Sequence, residues 1–353
     1  MTTEARYVFP AGDLSWLVRG EQDTAFSWEY AGGREDLLAL YDKSKRQQWN
    51  ASERIDWSLE LSPENPMELP DDQISIYGSD IWRKLSPSEK IELRRHTQAW
   101  NVSQFLHGEQ GALIGAAKII QQVESVDAKF CAATQVIDEA RHAEAFSRLL
   151  HEKFNIAYPI MPPLRSLIKD VIERREWDFT YLGIQVAIEG AGLAAFQTIR
   201  DKAKNPLAVQ LNAFVMQDEA RHVAFGRLAL RDYYPKLSQA EREQREEFIV
   251  DACYLMRDRM MPTDVWEVLG LDIGECKKVH MHSSNIQRWS SRLFSRIVPT
   301  VKDIGLWGPR VREAFEDMGV IHFAQIDASD PFAKDNRIAE ALGATQSGLP
   351  FPQ

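Results

Sequence analysis

Two copies of one short motif carry the residues best suited to binding metal ions. Residues 138–142 read DEARH, and the same five letters recur at 218–222, a shift of 80 positions. Within each copy a glutamate precedes a histidine by three positions, as Glu139 precedes His142. Because side chains three apart share one face of an α-helix, each copy presents a carboxylate and an imidazole together.

Each motif also has an upstream glutamate at the same distance. Glu109 lies 30 residues before Glu139, and Glu189 lies 30 residues before Glu219. The midpoint of each interval coincides with a predicted helix end. Since an α-helix rises about 1.5 Å per residue, a chain that turns back at the midpoint returns to its starting height. The sequence therefore predicts two antiparallel hairpins, each with a pair of glutamates at one level.

Two such hairpins packed face to face bring four carboxylates and two imidazoles into one small volume. Buried carboxylates without a counter-ion repel one another and are costly to desolvate, so the cluster needs cations. Oxygen and imidazole ligands without thiolate favour iron, with manganese an alternative at one or both sites. A lone Glu-x-x-His is more often a pair of surface charges, but two matched copies favour a two-metal site. The predicted catalytic metal ligands are Glu109, Glu139, His142, Glu189, Glu219 and His222.

Successive helices are predicted from residue 86 to about residue 262. Residues 86–89 (SPSE) combine an N-cap serine, a first-turn proline and a capping-box glutamate, which together open a helix that runs to about residue 123. Further helices are predicted over approximately 125–154, 164–204 with a break near Trp177, 205–234 and 238–261.

The paired motif resembles the ferritin-like di-iron carboxylate proteins over roughly residues 95–230. Its D-E-x-R-H form is most similar to multicomponent monooxygenases, ribonucleotide reductase small subunits and p-aminobenzoate N-oxygenase-like proteins. The resemblance implies an all-α fold: a ferritin-like four-helix bundle with a long crossover and additional flanking helices. It also implies that Glu109, Glu139 and His142 serve one metal and the other three ligands the second, with one or more bridging glutamates.

A layer of charged residues around the ligands is implied as well. Metal-bound histidine usually donates its second ring N–H to a carboxylate. In the resembling families, the aspartate before each ligand glutamate supports the histidine of the opposite motif, and the motif arginines would neutralise these aspartates. The alternative is that all four residues form ion pairs on the hairpin surface. The residues concerned are Asp138, which would pair with His222, Asp218, which would pair with His142, Arg141 and Arg221.

Three positions depart from the resembling families. Ribonucleotide reductase small subunits place a radical-bearing tyrosine four residues after the first histidine, where this chain has Phe146. Multicomponent monooxygenases have a threonine four residues after the third glutamate, where Leu193 stands. The p-aminobenzoate N-oxygenases add a histidine ligand four residues before the fourth glutamate, where Val215 stands. Each departure weakens the transfer of that subfamily's activity and leaves the six-ligand core intact.

Apolar and small residues one or two turns from the ligands predict a substrate pocket. Such walls suit an apolar or aromatic organic molecule better than a hydrated ferrous ion, although ordinary core packing is the alternative. Residues 190–195 (GAGLAA) match a dinucleotide fingerprint only formally, because no strand precedes them. The two histidines of residues 280–282 lie outside the repeat and are predicted to be on the surface. The predicted pocket residues are Phe105, Gly108, Ala112, Phe146, Gly192, Leu193 and Phe196.

Composition and segment boundaries limit the remaining function classes. A net charge of −10 disfavours nucleic acid as a partner. Three scattered cysteines, without a C-x-x-C pair or a signal-peptide pattern, favour a reducing cytoplasm. No apolar run reaches the roughly 20 residues of a membrane span.

Four segments are predicted: an N-terminal extension packed on the core (1–85), the di-iron bundle (86–262), additional C-terminal helices (263–326) and a mobile tail without apolar periodicity (327–353).

The leading hypothesis is a non-haem di-iron monooxygenase. It would use dioxygen to hydroxylate, epoxidise or N-oxygenate a small organic substrate. The sequence has no flavin, nicotinamide or iron–sulfur motif, so an external donor or the substrate supplies the electrons. One alternative is a ferroxidase or iron-handling protein, against which the long additions at both ends argue. Another is a radical-generating or scaffold subunit, which Phe146 weakens. A homodimer is compatible with this sequence.

Overall fold

The structure, a computed structural model, describes residues 17–18, 20, 22–28, 30, 33–259, 261–328 and 330–347. These residues form helices joined by loops, without a β-strand, so the all-α prediction is confirmed. The α-helices, in chain order, are α1 (Glu35–Arg46), α2 (Ala51–Arg54), α3 (Asp80–Lys84), α4 (Pro87–Gln122), α5 (Val126–Arg148), α6 (Pro162–Glu173), α7 (Trp177–Tyr181), α8 (Glu189–Lys202), α9 (Pro206–Arg231), α10 (Gln239–Arg259), α11 (Thr263–Val268), α12 (Ile273–His282), α13 (Ser284–Asp303), α14 (Pro309–Asp317) and α15 (Asp330–Ser347). The described chain also has 3₁₀ turns at Asp71–Gln73, Tyr234–Lys236 and Ile321–Gln325, and π-helical segments at Leu149–Phe154 and Leu182–Ile188.

The longest helix, α4, begins where the sequence predicts. The Ser86 hydroxyl accepts the backbone N–H of Glu89, and the Glu89 carboxylate accepts the backbone N–H of Ser86. Pro87 occupies the first turn, where its missing N–H leaves no bond unmade. The helix then continues for 36 residues, which carries Glu109 deep into the bundle.

Two antiparallel hairpins, α4–α5 and α8–α9, form the core of the bundle. Their turns fall at residues 123–125 and 203–205, as the spacing predicts. The Phe105 and Phe196 rings lie 4.8 Å apart. A Cβ atom on Gly115 would lie 2.7 Å from Ile184. These two contacts show that α4 runs antiparallel to α8 and to the π-helical segment before it.

A long crossover joins the hairpins. Gly111 of α4 faces Ile168 in the middle of α6, and the Lys118 ammonium donates to the carbonyl of Arg174 at the end of α6 (2.6 Å). Hence α6 runs parallel to α4 and returns the chain along the bundle before α7 starts at Trp177, the predicted break. This topology, with flanking helices on both sides, confirms the ferritin-like architecture.

One helical stretch in the described chain, Trp177–Lys202, is long and apolar enough to cross a membrane. Asp178 and Glu189 interrupt this stretch, so it contains no continuous apolar run of about 20 residues. Moreover, 89% of its most apolar window is buried inside the protein. The same length and hydropathy occur in the core helix of a soluble protein, and the position of this stretch between α4, α9 and α13 is of that kind.

The prediction of a mobile tail over 327–353 was wrong for residues 330–347, which form α15. An ion-pair triad holds this helix to the core. Asp335 is 1% exposed and accepts hydrogen bonds from Arg200 of α8 (2.8 Å) and Arg296 of α13 (2.7 Å). A helix fixed by a buried charge shows little apolar periodicity, which explains the error. Residues 348–353, like residues 1–16, lie outside the described part of the chain.

Replacing Asp335 should destabilise the protein, because two buried guanidinium groups would lose their shared carboxylate. We expect Asp335→Ala to lower the free energy of unfolding by about 3–5 kcal/mol, measured by urea denaturation of the iron-loaded protein. Arg337→Ala, which removes an exposed charge from the same helix, should change it by less than about 0.5 kcal/mol. Equal losses in the two variants would contradict the role of the ion-pair triad.

Candidate metal centre

All six predicted ligands meet in one buried cluster. Among the described residues, two groups of four have ligand atoms within 4.8 Å of one another. Glu139 and Glu219 belong to both groups, whereas each of the other four residues belongs to one. The groups are Glu109, Glu139, His142 and Glu219, and Glu139, Glu189, Glu219 and His222. The arrangement offers two adjacent metal sites. Both sites use the carboxylates of Glu139 and Glu219, and each site adds one glutamate and one histidine of its own.

Both imidazoles present the same ring nitrogen to the carboxylates. His142 Nδ1 lies 2.9 Å from Glu219 and 3.4 Å from Glu139. His222 Nδ1 lies 3.0 Å from Glu139 and 3.3 Å from Glu219. The shared glutamates therefore sit between the two histidines, the position of bridging ligands. Oxygen and nitrogen donors without thiolate fit iron.

The opposite ring nitrogens contact aspartates of the other motif. His142 Nε2 lies 3.1 Å from Asp218, and His222 Nε2 lies 3.2 Å from Asp138. This crossed arrangement is the one that the resemblance implies. An Nε2–H that donates to a carboxylate leaves Nδ1 free for a metal and fixes the orientation of the ring.

The two motif arginines neutralise both aspartates. The Arg141 guanidinium contacts Asp138 and lies 2.9 Å from Asp218. The Arg221 guanidinium lies 2.5 Å from Asp218 and 3.3 Å from Asp138. None of these four residues is more than 7% exposed, which excludes a surface ion-pair network. The layer outside the histidines is therefore buried and balanced in charge.

The chain after α1 completes this layer, and the sequence analysis missed it. Gln48 donates to Asp138 (2.8 Å), and the Trp49 indole N–H donates to Asp218 (2.7 Å). Gln47 accepts from Arg221 (2.9 Å). Three consecutive side chains that can form hydrogen bonds, Gln47, Gln48 and Trp49, were the available signal. The sequence alone does not show which element they reach.

Gln135 is a second residue that the sequence analysis missed. Its amide donates to Glu189 (2.6 Å) and Glu139 (3.0 Å), and Gln185 donates to it in turn (3.1 Å). Gln135 stands four residues before Glu139, as Val215 stands four residues before Glu219. A comparison of the two repeat copies at this position would have singled it out.

A cavity of ≈ 180 Å³ opens beside the cluster and reaches Glu109, Glu189 and Glu219. Five of the predicted pocket residues line it: Phe105, Gly108, Ala112, Gly192 and Phe196. A single water needs about 10–15 Å³ by the same kind of measure, so the cavity has room for an organic molecule. Gly108 faces open space, since a Cβ atom there would meet nothing within 4 Å.

Two predicted pocket residues are not on the cavity wall. Phe146 is fully buried behind it, with its ring 5.6 Å from Phe105 and 5.5 Å from Phe196. Leu193 is fully buried in the core. Successive residues of a helix point about 100° apart. Because Gly192 faces the cavity, the side chain of Leu193 points away from it.

Burial and neighbouring charges shift the pKa values of the metal-free cluster. Burial and the nearby Glu219 carboxylate raise the pKa of both Glu109 and Glu189 well above the usual range. Burial alone would lower the pKa of His142 and His222, but their carboxylate neighbours raise it well above normal. Without metal, these shifts favour the protonated form of all four groups.

The chain matches the family described as "P-aminobenzoate N-oxygenase AurF" over residues 33–305. The match covers most of the chain, including both hairpins. The chain belongs to this family. As a member of the AurF family it is a di-iron oxygenase, and its cofactor is a pair of iron ions. The buried cluster supplies a donor set that fits them.

Solved structures with a similar helical arrangement are more distant. The ribonucleotide reductase Rnr4 homodimer from Saccharomyces cerevisiae has 16% identity and a TM-score of 0.43, with 76% of this chain and 81% of that chain covered. An R2-like ligand-binding oxidase with an anaerobically reconstituted Mn/Fe cofactor has 17% identity and a TM-score of 0.43, with 80% and 96% covered. A comparison with curated proteins gives no match.

Removing a shared glutamate should disturb both metal sites. We expect Glu139→Ala or Glu219→Ala to reduce the iron content from about two to below about one per chain, as measured by colorimetric iron analysis after anaerobic loading. The control Glu144→Ala removes an exposed carboxylate from α5, the helix that carries Glu139. This variant should keep its full iron content. Retention of both irons in the two shared-glutamate variants would rule out the proposed ligands.

Iron uptake should release protons, because ligands bind metal in their deprotonated form. Two carboxyl groups and two imidazoles have raised pKa values, so up to about four protons would be released per two ferrous ions. Iron affinity should accordingly rise as the pH increases from acid to neutral. Calorimetric titrations in two buffers of different ionisation enthalpy measure the number released. A value near zero would contradict the protonated metal-free cluster.

Proposed function

We propose that the chain is a dioxygen-dependent monooxygenase that oxidises a small apolar or aromatic organic substrate in the cavity beside the cluster. Glu109, Glu139 and His142 would hold one iron, and the second motif and its upstream glutamate the other. Glu139 and Glu219 would bridge the two ions. The observation that carries the proposal is the direct opening of an apolar cavity onto three of the ligand carboxylates.

The cavity walls favour an organic substrate over ferrous ion. Phe105 and Phe196 form an edge-to-face pair beside the ligands, and Ile188, Met161 and Leu164 extend the apolar surface. Among the described lining residues, the carboxylates are the three candidate ligands themselves. A ferroxidase would need additional acidic groups along the entry path. The aromatic pair would instead orient a planar molecule and exclude water.

The bound irons would activate dioxygen once reduced. Gln135 would fix the orientation of Glu189 and Glu139, and the crossed aspartates would keep the Nδ1 atoms of both histidines directed at the metals. We propose that an external donor supplies the electrons. A cytoplasmic location agrees with three buried, unpaired cysteines.

Filling the cavity at Gly108 should block the substrate without unfolding the helix. Gly108→Leu places its side chain in open space and improves helix propensity by up to about 1 kcal/mol. We expect two irons to remain bound and substrate-dependent oxygen consumption to fall at least about tenfold, measured with an oxygen electrode in a screen of small aromatic substrates.

The matched control is Ile114→Phe, which adds bulk at an exposed position of the same helix and should leave turnover unchanged. Full activity in Gly108→Leu would place the substrate elsewhere. If the wild type mineralises iron in bulk and oxygenates no organic molecule, the ferroxidase alternative is correct.

A further inference from the structure

The cavity continues along α4 far beyond the ligands. Its α4 wall repeats at helical spacing through Ala112, Gly108, Phe105, Asn101 and Thr97. Thr97 precedes Glu109 by 12 residues, which is about 18 Å along a helix. A molecule that reaches from the cluster towards this far end is longer than a single aromatic ring.

Ser75 lies close to this far end. The turn before it is fixed to α4 by a bidentate ion pair between Asp71 and Arg94 (2.7 and 2.9 Å). Ser75 lines the cavity and is 5% exposed, and its hydroxyl has no hydrogen-bond partner among the described residues. A buried hydroxyl without a partner is costly unless a ligand or water satisfies it.

His280 is a second unsatisfied polar group on the wall. It lies on α12 with its ring 5.9 Å from Trp266 of α11, a helix that packs on α4. The prediction that His280 is on the surface was wrong, since only 7% of it is exposed. Its Nδ1 atom is buried without a hydrogen-bond partner in the described chain. The error arose because α12 folds back onto the bundle.

The cavity offers hydrogen bonds but no positive charge. Among the described lining residues there is no arginine or lysine. Burial lowers the pKa of His280 to about 4, so its imidazole is neutral at neutral pH. An anionic group at this wall would lose its hydration without gaining a counter-charge.

We propose that the substrate is an elongated aromatic molecule with a neutral hydrogen-bonding group, such as an amide, alcohol or ketone, that Ser75 and His280 bind. The aromatic body would pack against the Phe105–Phe196 pair and present its other end to the cluster. This inference rests on the proposed oxygenase function and narrows its substrate class. It predicts discrimination against carboxylates of the same shape.

Three matched probes test it with the iron-loaded protein under anaerobic conditions, where binding is measured without turnover. They are 4'-aminobiphenyl-4-carboxamide, 4'-aminobiphenyl-4-carboxylate and 4-aminobiphenyl. By isothermal titration calorimetry we expect the carboxamide to bind at least about tenfold more tightly than the carboxylate. Tighter or equal binding of the carboxylate would overturn the proposal, as would the failure of all three probes to bind.

Variants identify the groups that make the contact. His280→Phe and Ser75→Ala should each weaken carboxamide binding about fivefold and change 4-aminobiphenyl binding less than about twofold. His280→Gln should restore part of the loss. The control His282→Phe, at an exposed position of the same helix, should bind like the wild type. Equal losses for all probes would show a packing role alone and overturn the proposal.

Ser75→Ala removes a single oxygen atom, so it decides the question if His280→Phe does not fold. Oxygen consumption is recorded separately with each probe that binds. Carboxamide selectivity without any oxygen consumption would uphold the binding site and contradict the proposed function. Oxygen consumption with the carboxylate preferred would uphold the function and contradict this inference.

Discussion

The burial of four carboxylates at one level of a helical bundle is the constraint on which this structure depends. Such a cluster is unstable unless cations or protons balance it. In the metal-free protein, the raised pKa values of Glu109, Glu189 and the two histidines favour protons on these groups, which reduces the imbalance. Two ferrous ions carry four positive charges, which balance the four carboxylates. Metal binding and proton release at the cluster are therefore coupled.

That constraint explains why so much was predictable from the sequence. A Glu-x-x-His pair repeated at a shift of 80 residues, with equal upstream spacing, determines helix length, turn position and ligand level together. The capping box of α4 fixed its start. Each of these signals is local or periodic. Helix geometry therefore gives the positions of the ligands along the bundle without knowledge of tertiary contacts.

The remaining features depend on contacts between distant segments. Gln48 and Trp49 reach the aspartates only because α1 packs along α5 and α9. Helix α15 is fixed by one buried aspartate, and His280 becomes a wall residue because α12 folds onto the bundle. No short-range pattern encodes these partners. Likewise, the rotation of α8 about its axis decides whether Gly192 or Leu193 faces the cavity. That rotation depends on the π-helical segment that precedes α8.

We propose above all that two irons bind between the two motifs, bridged by Glu139 and Glu219. Anomalous diffraction from crystals of the iron-loaded protein, recorded on both sides of the iron absorption edge, tests it most directly. We predict two iron peaks about 3.5–4 Å apart, each within bonding distance of both shared glutamates and of one histidine Nδ1. A single peak, or iron bound away from these residues, would contradict the account.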